Sequence, residues 1–170
     1  MISFRQYLTE LFDKPAKWVW ISKRGTTAAA SFTTTHDNTI IVEFVESPGI
    51  GETVEFKLSD KTMHRKRVDA DALFSLTGTG DAVQILATMK EIVGEFLKQH
   101  HPPILSFTAE GKSRMAAYGR WFNRTNYSGY QKHTGSPVTD KAYYLWTKDG
   151  LDPNTIKAEA EEWTEILTDQ

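Results

Sequence analysis

The stretch from Ala82 to Leu97 constrains the fold most. At the angular step of an α-helix, Ala82, Ile85, Leu86, Met89, Ile92, Val93, Phe96 and Leu97 fall on one arc. Gln84, Glu91, Glu95 and Lys98 lie opposite. Such a helix has a wide apolar face to bury. "HHPP" ends it, the two histidines suiting the negative helix end and the prolines forbidding continuation. The runs on either side, "ALFSLT" before and "ILSFTA" after, read as strands. A strand, a helix of about twenty residues and a second strand fit a parallel crossover.

Upstream of this unit the chain is rich in β-formers. "WVWISK", "AAASFTTT", "TIIVEFV" and "TVEFKL" are separated by turn signals at "KRGTT", "HDNT" and "SPGIGE". These spacings predict an antiparallel meander. In front of it, Ser3 and Gln6 form a capping-box pattern, and "SFRQYLTELF" reads as a first helix stopped before Pro15. Downstream, "GKSRMAAYGRWFNR" reads as a helix with Met115, Tyr118 and Phe122 on one face and Arg120 and Arg124 on another. "GYQKH" and "AYYLWTK" read as strands. "DPNTIKAEAEEWTEIL" has an Asp cap and Pro at the first helical position, which predicts a terminal helix. The expected architecture is α/β (α+β): a mixed, largely antiparallel sheet with helices on its faces. One domain over residues 1–150 is expected, with an acidic helix over 151–170 packed on it or extending from it.

The chain has 170 residues, 25% of them charged, and no cysteine. Disulfides, thiolate metal sites and a cysteine nucleophile are thereby excluded. No uncharged run approaches membrane-spanning length, and the charged first residues do not read as a signal peptide, so an intracellular, cytoplasmic protein is expected. The five histidines have no metal-ligand spacing. The net charge of −2 conceals an asymmetry: after Gly150 there are six Asp or Glu and one Lys. Glu110–His133 instead carries five Lys or Arg interleaved with Tyr118, Trp121, Phe122, Tyr127 and Tyr130. Charge and stacking there could hold a nucleotide or single strand. The other reading is an amphipathic helix with its polar face in water, and nucleic acid is not the expected partner.

The turn "SLTGTGD" leads into the long helix. A helix N-terminus offers unpaired N–H groups and a positive dipole end, and glycines let the backbone approach a phosphate. Asp81 sits where a helix cap belongs, with Gln84 three residues on in a capping-box-like pattern. That carboxylate competes for the same N–H groups. From the residues alone, a phosphate cradle and an ordinary capped turn both stand. Gly111-Lys112-Ser113 also follows a strand, but Ser106 stands where a nucleotide P-loop needs its first glycine.

"LTGTGDAVQILATM", "ILSFTA" and "GKSRMAAYGRWF" together resemble, in order and spacing, the core of GNAT-type N-acyltransferases, over roughly residues 72–130. The resemblance implies a GNAT-like core and acyl transfer from acetyl-CoA to an amine on an unknown acceptor. It implies a cofactor pyrophosphate held at Leu76, Thr77, Gly78, Thr79, Gly80, Asp81 and Ala82, with Arg114 a further contact. It makes Tyr118 the acid that protonates the departing thiolate. Ser75 and Gly111 depart from the Gln or Arg and the Asn usual in the family. For a general base the strand carboxylates Glu43 and Glu55 are available, Glu43 being the candidate; a solvated strand face is the other reading. Thr34, Thr35 and His36 near a turn, and the basic loop His64–Arg67, are further polar candidates. "LTGTGDA" and "SFTAEGKSRMAAY" are also similar to small tailed-bacteriophage proteins. This resemblance implies a viral origin and an alternative role without catalysis, as a host-directed interaction factor or virion component.

Overall fold

The computed structural model describes residues 14–24, 27–46, 53–60, 81–134 and 140–168. The helix expected at Ser3–Phe12, the strand "ALFSLT" and the Gly78–Gly80 turn lie outside them. The described elements are β1 (Trp18–Arg24), β2 (Thr27–Thr33), β3 (Thr39–Glu46), β4 (Thr53–Asp60), α1 (Asp81–His100), β5 (Ile104–Glu110), α2 (Lys112–Arg124), β6 (Tyr130–Thr134), β7 (Lys141–Lys148) and α3 (Pro153–Thr168). The strands form one seven-stranded sheet in the order β1-β2-β3-β4-β5-β7-β6. Every neighbouring pair is antiparallel except β4 and β5, which α1 joins as a parallel crossover.

Alternation along the strands decides which layer each side chain joins. Ala28, Ala30 and Phe32 of β2, Ile40, Val42 and Phe44 of β3, Leu105, Phe107 and Ala109 of β5, and Ala142, Tyr144 and Trp146 of β7 share one face. The apolar arc of α1 and the residues Ala117, Tyr118, Trp121 and Phe122 of α2 pack on it. All eight α1 residues read from the periodicity are at most 3% exposed. Ile104, Tyr143 and Leu145 face the other way, onto Trp163 of α3. The acidic terminal helix therefore packs on the sheet face opposite α2, not on the basic residues of α2. Its predicted cap is present: Asp152 Oδ1 accepts the backbone N–H of Asn154 at 3.1 Å, one residue past Pro153.

The two ends of α1 are held differently. At its C-terminus His101 takes a left-handed φ of 48° and donates its N–H to Leu97 O, the cap geometry usually given to glycine. Near its N-terminus Gln84 reaches out to the sheet. Its Oε1 accepts the backbone N–H of Thr35 at 2.8 Å, tying α1 to the β2–β3 turn. Within the helix, Thr88 Oγ1 donates to Gln84 O and accepts the N–H of Ala16, which anchors the chain entering β1.

Candidate active site

β4 and β5 are registered through only Thr53↔Ile104, Val54↔Leu105 and Glu55↔Ser106. Beyond those rungs β4 pairs with β3 alone, out to Asp60↔Ile40. β5 pairs with β7 alone, out to Glu110↔Lys141. Between the facing edges of the two strands no further pairing exists among the described residues. The sheet is therefore split toward the C-terminal ends of its two parallel strands. Crevices outside those ends, where strand order switches, are the usual ligand positions of open α/β sheets.

Chain direction brings helix termini to the same end. α1 ends three residues before β5 begins, so its last turn lies at the paired end and its first turn at the open end. The Thr35–Gln84 bond agrees, because the β2–β3 turn lies beside the end of β4. α2 begins where β5 ends: Gly111, at φ 88°, precedes it and gives its N–H to Asp140 O. Its first turn holds no acidic residue and its N-cap makes no side-chain hydrogen bond. Lys112, Ser113 and Arg114 open the helix there. Two helix N-termini with positive dipole ends thus lie at the open end of the split.

Tyr118 lies one turn further along α2, 5% exposed, with its ring edge-on to Phe107 at 5.6 Å. Phe107 is the first β5 residue past the last β4 rung. Burial pushes the Tyr118 phenol well above its ordinary value, while the Arg114 guanidinium pulls the other way. At neutral pH the phenol holds its proton. Glu43 is elsewhere. It is exposed on β3, opposite Ala29 and Lys57, between Val42 and Phe44 that face the core. Strand alternation puts it on the far side of the sheet from Tyr118, so the expected acid and base are not brought together.

Of the expected cofactor residues, Leu76–Gly80 lie outside the described part. Helical backbone already begins at Asp81, and Ala82 is buried in the first turn. Arg114 is half-buried in the first turn of α2. Sequence reasoning met Ser106 only as a departure from a P-loop. It is 0% exposed, at the last rung before the split, and its Oγ has no hydrogen-bond partner among the described residues. Only the strand pairing identifies that position; the run "ILSFTA" reads simply as a buried strand.

The basic, aromatic stretch does not form a stacking surface. Tyr118, Trp121 and Phe122 belong to the core, and the Tyr127 and Tyr130 hydroxyls donate to Lys90 O and Pro102 O. Lys132 Nζ donates to Phe122 O and Asn123 O, closing the C-terminal end of α2. The helical offset of Trp121 from Tyr118 and Phe122 was the available signal that it is core. Among the described residues no group of three His, Asp or Glu could hold a metal, and no helix is long and apolar enough to cross a membrane. A separate groove of about 600 Å³ runs along the outer flank of α1 between Trp18 and Tyr127, floored by Ala87 and Gly94.

A single mixed sheet with a three-rung parallel seam and helices on both faces defines the class of this protein. No family model and no curated protein matches the sequence. Among solved structures, a point variant of the spermidine N-acetyltransferase SpeG from Vibrio cholerae is similar at 10% identity and TM-score 0.38, over 72% of this chain and 66% of that one. A chimera of Vibrio cholerae SpeG with hSSAT is similar at 8% identity and TM-score 0.37, over 72% of this chain and 68% of that one. The chain spans just under two thirds of the length of the first.

Proposed function

We propose that the protein has a GNAT-like core and transfers an acyl group from acetyl-CoA to an amine. The observation that carries this reading is the split between β4 and β5, opening where α1 and α2 begin. An extended thioester arm fits between two strands that stop pairing with each other after Glu55↔Ser106, because strand edges that part there can bond its amides. The diphosphate belongs at the start of α1, on the N–H groups from Thr79 to Ala82, with Arg114 at the neighbouring helix start. When bound, the thioester supplies the activated carbonyl. Tyr118 would hold the proton that the leaving thiolate takes up as the amine bonds to carbon, and the proton shed by the amine nitrogen would pass to solvent, which would restore the phenol.

Calorimetric titration with acetyl-CoA tests the reading. Micromolar binding that is lost in Gly80→Trp is the expected result. No heat at high micromolar ligand, or a Gly80→Trp protein that binds equally well, overturns it. Tyr118→Phe is expected to lower turnover about a hundredfold or more with acetyl-CoA affinity retained.

One observation favours a second reading. With Glu43 on the opposite face from Tyr118, the same fold suits a binding protein without catalysis. A protein that binds acetyl-CoA but acetylates no amine in a broad panel at high enzyme concentration would support it.

A further inference from the structure

β1 is an edge strand, and it is dressed unlike the strands behind it. Among the described residues it pairs only with β2, so its outer backbone groups have no strand to bond. Its Trp18 and Trp20 pack against the core, whereas Val19 and Ile21 are 62% and 51% exposed, the exposed large hydrophobics of the described chain. Ile21 sits at a β-bulge, where the register passes from Trp20↔Ala30 to Ser22↔Ala29. Lys14, Lys17, Lys23 and Arg24 are all exposed around this strand, and no Asp or Glu occurs between Lys14 and Arg24. The nearby carboxylate of Glu91 is engaged by Trp18 Nε1, and Lys23 Nζ lies over the Trp20 ring, donating to Gln99 Oε1.

We propose that β1 is a docking edge for an extended acidic segment of another protein, whose carboxylates alternate with aliphatic side chains and which adds to the sheet as a further strand. The unpaired backbone row supplies main-chain bonds, and alternate side chains meet Val19 and Ile21. The run of cations selects the sign of the partner. A second copy of β1 is the wrong occupant, because it brings the same run of cations, Lys14, Lys17, Lys23 and Arg24, with no carboxylate to meet them. A nucleic acid makes no use of the exposed Val19 and Ile21, and the neighbouring tryptophans that would stack on bases are turned inward. This edge is independent of the acyl-transfer reading.

The probe is a blocked synthetic peptide alternating glutamate with valine, titrated into the isotope-labelled full chain. Backbone amide shifts confined to β1 and slowed exchange of its outer amides are expected, with affinity falling about tenfold as salt rises from about 50 to 500 mM. The double change Val19→Ser with Ile21→Ser is expected to weaken binding about tenfold or more. Arg24→Glu with Lys17→Glu is expected to do the same, and both proteins should melt where the parent does. Three results would overturn the proposal: no β1 shifts at millimolar peptide, equal shifts with the lysine–valine peptide, or concentration-dependent dimerisation through β1. Tighter β1 binding of a single-stranded oligonucleotide would also reject it, in favour of nucleic acid.

Discussion

The two halves of the sheet, on either side of the three-rung seam, are packed by different means. Over β2 and β3 the core is built of Ala28, Ala30, Ile40 and Val42 with two phenylalanines, closed by the aliphatic arc of α1. Among its described residues Phe44 stacks on Phe96 at 3.9 Å, His100 continues the stack at 4.5 Å, and Trp20 meets Phe44 at 6.2 Å. Over β5 and β7 the core is a mesh of rings. Phe107 alone contacts Tyr118, Trp121, Phe122, Tyr144 and Trp146. Flat rings meeting at fixed angles tolerate little change of shape, whereas methyl and methylene groups repack. The proposed acid, Tyr118, stands in the rigid half, and the helix start proposed for the diphosphate belongs to the crossover covering the adaptable half.

Replacing one ring is the strongest way to break this contrast. Trp146 is fully buried and its ring also meets Trp121, Phe122 and Tyr127, so Trp146→Ala should cost about 3–5 kcal/mol by denaturant unfolding. Thr88→Val, which keeps the volume but leaves the buried Ala16 N–H without its acceptor, should cost about 2 kcal/mol. Phe44→Leu in the adaptable half should cost only about 1 kcal/mol. If Phe44→Leu proves as damaging as Trp146→Ala, the contrast between the halves is wrong.

Two pH measurements sharpen the comparison without changing stability at neutrality. Burial raises the Tyr118 and Tyr127 phenols, and raises Tyr130 to about 12. Their neutral forms thus contribute stability in full below about pH 10, and that contribution is lost as pH rises through the folded values. Melting temperature should fall above about pH 10, and Tyr118→Phe should flatten the fall. On the acid side, burial first, then Lys23 and His101, hold His100 below its usual value. Its contribution is present above about pH 6.5 and lost as pH falls through the lowered value. His100→Gln should remove part of the acid slope, and His133, which burial shifts the same way, should contribute another part. Amide exchange read separately in β2–β3 and β5–β7 would show whether acid and base loosen different halves.

Local pattern made much of this fold legible. The apolar arc of α1, the Asp152–Pro153 start of α3 and the β1–β4 meander all follow from periodicity and turn chemistry, and each is found where those signals lie. Strand order was not legible, because inserting β7 between β5 and β6 depends on long-range register. The site was legible only in part. Tyr118 and Arg114 do share a helix that begins at the open end, and alternation puts Glu43 on the sheet face away from Tyr118. Gln84, read as half of a cap, bonds a turn far away in sequence. Ser106 carried no signal, since a serine in a buried strand acquires meaning only from where its neighbour strand departs.

The short seam also sets an order of assembly. Arg24 pairs with Thr27, three positions on, while Thr53 must find Ile104 across the whole crossover. Closing small loops costs less entropy, so the β1–β4 meander should form early, and the seam should close only after α1 has docked. As the chain leaves the ribosome, the outer edge of β4 has no partner until β5 emerges. In that interval the growing protein is most exposed to pairing with the wrong strand.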